Sequence, residues 1–211
     1  MTGKILNFTL GGGQKPFPIA RDFGDKIVKC ISENTIWNFV IESKIPEDIK
    51  NRVFRAVEWI SHAITSDNLD FNLVNLCVAL EILLLPGLPD EKIERNKGAL
   101  IALRQVLVDQ NNFFDPKGVL AKYKLRNFVV HGGYLKITSF SSYFDFLACC
   151  ICVLEKIIRL SKSFPEVQTL KELITKIENK ETLEKFIEYY KNGIHECREA
   201  KEEAERLLRK Y

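Results

Sequence analysis

The chain has 211 residues, 46% of them hydrophobic and 28% charged. That excludes a disordered chain and fits one domain with a decorating segment, or two small ones. With 31 Lys and Arg against 28 Asp and Glu, the net charge is only +3, which excludes a surface that coats nucleic acid at large, so any polyanion site has to be local.

Residues 1–45 are expected to form a short β appendage. Ile5 to Leu10 reads as a strand, and Gly11-Gly12-Gly13 as a flexible turn. The triple glycine lacks the Lys-Ser/Thr and the helix start of a phosphate loop. Ile27–Ile31 and Thr35–Ile41 are β-branched and aromatic around a Ser-Glu-Asn turn, so a hairpin is expected. The opening MTGKILNFTLGGG has neither the apolar core nor the cleavage site of a signal peptide; a cytoplasmic protein is the expectation.

From Pro46 the pattern turns helical. Pro at the first position and acids at Glu47 and Asp48 suit a helix N-terminus, and Ile49, Val53, Val57 and Ile60 form one stripe, with Phe54 and Trp59 expected in the core. Asp67-Asn68 breaks it. Asp70–Leu85 is apolar on nearly every face, which predicts a central buried helix, ended by Pro86-Gly87-Leu88-Pro89. A third helix, more polar at first, is expected from Asp90 to about Val108, and a fourth from an Asp115 cap with Pro116 at its first position. A long helix follows from about Phe140 to Ser163, and Pro165 closes the bundle. Residues 46–165 thus read as a helical bundle, and 166–211 as an amphipathic C-terminal pair, Val167–Asn179 and Thr182–Arg209. No stretch is long and uncharged enough to predict a membrane span.

The fourth helix carries the chemistry. It ends Arg126-Asn127-Phe128-Val129-Val130-His131 and is stopped by Gly132-Gly133. Asn127 and His131 share a face, whereas Arg126 and His131 lie roughly 140° apart around the axis. One helix therefore does not aim both at one atom; two such ends meeting across a two-fold axis would bring two His and two Arg together. RNA suits that arrangement because it carries its own nucleophile, the 2′-OH. A neutral His takes its proton, a protonated His supplies the leaving oxygen, and Arg holds the phosphate. No metal or other cofactor is required.

Each residue also has a structural reading. His131 can interact with the helix dipole, and Asn127 can serve as a cap. Arg126 can pair with Glu81, whose charge on so apolar a helix needs a cation or donors; Glu81 would then support Arg126. Lys122, Tyr123 and Lys124 can guide RNA by charge and stacking or form a solvated face, and Tyr134 can stack a base or pack. His62, beside Trp59, is expected to pack half-buried, and His195 to be solvated. The six cysteines, Cys30, Cys77, Cys149, Cys150, Cys152 and Cys197, show no zinc spacing and read as reduced, mostly buried thiols.

Arg126-Asn127-Phe128-Val129-Val130-His131 resembles the R-x4–6-H signature of HEPN domains. With Val78-Ala79-Leu80-Glu81-Ile82-Leu83-Leu84 upstream and Gly-Gly downstream, it looks like their ApeA-like, abortive-infection-associated branch. The resemblance spans about residues 47–164. It implies a mainly α bundle that dimerises through the motif helices. It also implies a metal-independent endoribonuclease of phage defence or a toxin, with Arg126, Asn127 and His131 as its site. Members without ribonuclease activity imply the alternative of an RNA- or protein-binding scaffold, open to a regulatory protein partner.

Overall fold

The computed structural model describes residues 45–86, 97–109, 115–133, 140–191 and 197–211. The expected N-terminal strands lie outside them, as do Cys30, Tyr134 and His195. Every described element is helical: α1 (Glu47–Thr65), α2 (Leu69–Leu84), α3 (Lys97–Asp109), α4 (Pro116–Val130), α5 (Phe140–Ser163), α6 (Leu170–Ile177), α7 (Lys180–Lys191) and α8 (Arg198–Leu208). The fold is mainly α, and among the described residues no helix is long and apolar enough to cross a membrane.

Helix α1 buries Ile49, Val53, Ala56, Ile60 and Ala63, a spacing of alternating fours and threes that keeps one face inward. That face lies on α2. Phe54 falls off the stripe and stays 40% exposed, so it is not the core residue that the sequence suggested. His62 is exposed as well, touching Trp59 edge-on at 6.2 Å between ring centroids. The Asn68 side chain accepts from the backbone N–H groups of Asp70 and Phe71 and so starts α2 one residue earlier than the sequence suggested.

The most enclosed helix is α3, not α2: every residue from Gly98 to Asp109 is buried. Helices α2, α4 and α5 cover part of it, and α6 and α8 cover the rest. One apolar cluster runs from Ile45 to Leu207 and includes Leu170, Leu173, Leu183 and Ala204. The C-terminal helices therefore share the core with the bundle. Polar ties fasten them. Arg104 of α3 grips Glu178 at the end of α6 and donates to the Leu84 carbonyl that ends α2. Asp48 of α1 accepts from the first N–H of α6 at 2.9 Å.

The C-terminal pair is in fact three helices. Thr169 and Glu172 form a reciprocal capping box that starts α6. The long helix expected over Thr182–Arg209 is divided between α7 and α8, with Asn192-Gly193 in the interval.

Candidate functional site

Helix α4 positions the candidate residues. Its start is the one the sequence spells: the Asp115 carboxylate accepts from Lys117 N–H, and Pro116 occupies the first position, where a missing N–H costs nothing. Its end is a Schellman motif. Gly132 N–H bonds the Val129 carbonyl and Gly133 N–H bonds the Phe128 carbonyl, each at 3.0 Å. Gly132 sits at φ 89°, a left-handed conformation that glycine adopts without a Cβ clash. Gly133 lies under the Phe128 ring; a Cβ there would come within 2.2 Å of the ring edge.

Arg126 faces α2. Its Nη2 is 3.4 Å from Glu81 Oε1, so the expected pairing with Glu81 is present. Both side chains are about one-quarter exposed or less, 24% and 21%. Tyr123, one turn earlier, donates its hydroxyl to the same Glu81 oxygen at 2.6 Å. Burial and the Glu81 carboxylate push the Tyr123 ionisation far above the ordinary phenol range. Its ring is only 4% exposed, which removes it from the residues open to stacking on a base. The ring instead lies beneath Arg126, whose guanidinium carbon is 5.6 Å from the ring centroid.

Arg126 also donates from Nη1 to Asn127 Oδ1 at 3.0 Å. A guanidinium only donates, so the amide oxygen must turn toward it. The exposed Asn127 is left with its NH2 end for an outside acceptor. His131 is the C-cap, exposed, with its backbone N–H on the Asn127 carbonyl. Its imidazole makes no hydrogen bond or ion pair among the described residues. Within one chain, then, Arg126 and Asn127 are joined by their side chains and His131 stands apart from them in solvent. Leu125, Phe128 and Val130 are also exposed on this end, at 38%, 54% and 51%.

The flanking cations differ. Lys124 is paired with Glu199 of α8 at 2.8 Å, and Lys122 is half-buried. Sequence reasoning had missed how Tyr123 serves the site; its signal was the three-residue spacing from Arg126, which puts the two on neighbouring positions of one face. Cys77 lies beside the Arg126–Glu81 pair, and burial pushes its thiol far above the usual range, so it offers neither a nucleophile nor a ligand. Among the described residues no group of three or more His, Cys, Asp and Glu side chains could hold a metal ion.

No protein-family model matches the chain, and neither a curated protein nor a solved structure matches it.

Proposed function

We propose that the protein is a metal-independent endoribonuclease of the HEPN type, acting as a homodimer in phage defence or as a toxin. The observation that carries the reading is the end of α4. A tethered Arg126 donates to the exposed Asn127, and an exposed His131 stands at the helix terminus. The exposed Leu125, Phe128 and Val130 around it suit burial against a second copy. That contact would unite two His131, two Arg126 and two Asn127 in one groove.

In that groove one His131 accepts the proton of the RNA 2′-OH. The freed oxygen attacks the adjacent phosphorus, and the P–O5′ bond breaks. The second His131, protonated, gives its proton to the departing 5′-oxygen. Arg126 and Asn127 bind the non-bridging oxygens, where charge accumulates. The products are a 2′,3′-cyclic phosphate and a 5′-OH, and no electron or proton is left unassigned. The test is cleavage of single-stranded RNA by the purified chain in EDTA. Activity that survives chelation and is lost in His131→Ala supports the reading; loss on chelation, or full activity in His131→Ala, removes it.

One feature favours a second reading, a catalytically inactive module that binds RNA or a protein. The Glu81 carboxylate already neutralises Arg126 within the chain, which weakens its attraction for a phosphate. Purified protein that dimerises and binds RNA or a partner protein yet leaves RNA intact would select it.

A further inference from the structure

The residues around Arg126 form a closed set that neither the catalytic scheme nor simple packing needs. Glu81 Oε1 receives the Tyr123 hydroxyl at 2.6 Å and lies 3.4 Å from Arg126 Nη2. The guanidinium lies over the Tyr123 ring and is buttressed on its outer side by Asn127. Arg126 Nε is buried and finds no acceptor. The side chain is thus held by its terminal nitrogens and by the ring below, not through Nε.

The ring itself is seated against α3. At Gly98 a Cβ would lie 2.9 Å from Tyr123 Cδ1 and 3.0 Å from Leu120 Cδ1. The first is shorter than real Cβ contacts, and the second is tighter than nine in ten of them. Gly98, the second residue of the buried α3, is accounted for by this approach.

We propose that Tyr123 is a positioning residue: its hydroxyl fixes the Glu81 carboxylate, its ring carries the Arg126 guanidinium, and Gly98 leaves the room in which the ring sits. The clamp presents Arg126 to an anion in one orientation instead of letting a long side chain sample many. Its consequence for catalysis rests on the ribonuclease reading above; the clamp itself does not. Burial and Glu81 hold the phenol protonated, so the hydroxyl is kept as a donor.

The experiment uses the full chain and Tyr123→Phe, which keeps the ring and removes only the hydroxyl. The readout is hydrogen exchange at the Arg126 Nη hydrogens, which face Glu81 and Asn127, followed by nitrogen-15 NMR. The expected result is exchange about tenfold faster in Tyr123→Phe, the scale of one lost hydrogen bond to a charged group, with the thermal midpoint lowered by only a few degrees. Unchanged exchange overturns the clamp. With RNA, the clamp further predicts a fall in kcat with KM nearly constant; a rise in KM alone would reduce Tyr123 to a general packing role. Gly98→Ala, which crowds the same ring, is expected to speed the exchange as well. If the wild-type chain cleaves no RNA, the ribonuclease reading fails while the exchange measurement still decides the clamp.

Discussion

Arg104 holds Glu178 through two parallel hydrogen bonds, Nε to Oε1 at 2.6 Å and Nη2 to Oε2 at 3.1 Å, in a setting where the side chains are only 7% and 12% exposed. The third arm of the guanidinium takes the Leu84 carbonyl at 2.6 Å, one of the acceptors that the end of α2 leaves without a helical partner. One side chain thus ties α2, α3 and α6 together. Removing one partner strands a buried charge, at a cost of about 3 kcal/mol or more. Arg104→Ala and Glu178→Ala are each expected to lower the thermal midpoint by roughly 6 °C or more in a chain of this size. Arg104→Lys should restore little of it, because an ammonium cannot make the paired contact. Thermal unfolding followed by circular dichroism checks all three.

The two glycines after α4 are expected to respond differently. Gly132 adopts φ 89° with nothing within 4 Å of a would-be Cβ, so Gly132→Ala meets backbone strain alone, about 1–2 kcal/mol. Gly133→Ala meets the Phe128 ring, which is half exposed and free to swing away. It should cost less than Gly132→Ala in stability. Gly132→Ala should also loosen the end of the helix, seen as faster amide exchange at His131.

The Lys124–Glu199 pair joins α4 to α8 on the surface and holds the Glu199 carboxyl below its usual range, chiefly through the hydrogen bond from Lys124. A depressed acid contributes stability above its unfolded pKa, which for Glu is about 4.3, and loses it as pH falls through the folded value. Lys124→Ala should therefore be slightly less stable than wild type at pH 7, by less than about 1 kcal/mol for so exposed a pair. The difference should vanish once the pH has fallen through the folded value and shrink in high salt. Urea unfolding at several pH values measures it.

Burial pushes the thiols of Cys77, Cys149 and Cys150 well above the usual range. In the native protein at pH 8, all three are expected to resist a thiol-alkylating reagent that labels them fully in guanidinium. Peptide mass spectrometry reads the outcome, and rapid native labelling of Cys150 would contradict the packing of α5 on α2.

What the sequence made legible was local. Asp115-Pro116 and Gly132-Gly133 delimit α4 correctly because caps and left-handed glycines act within a few residues. The pairing of Arg126 with Glu81 was also readable, since a carboxylate on an apolar helix demands a donor. The enclosure of α3 was not, because part of its cover comes from α6 and α8, beyond the reach of any periodicity in α3 itself. Tyr123 illustrates the same limit: beside Lys122 and Lys124 it reads as part of a basic stacking face, yet a tyrosine three residues before Arg126 turns to Glu81. The Thr169–Glu172 capping box was in plain view, and it marks a helix start that the charge pattern of residues 166–211 obscured.

The most direct test of the central claim is the chemistry of the RNA ends. RNA incubated with the full chain in EDTA should yield fragments ending in 2′,3′-cyclic phosphate and beginning with 5′-OH, with both His131→Ala and Arg126→Ala losing the activity. Fragments with 3′-OH and 5′-phosphate, or intact RNA after prolonged incubation with the full chain, would contradict it.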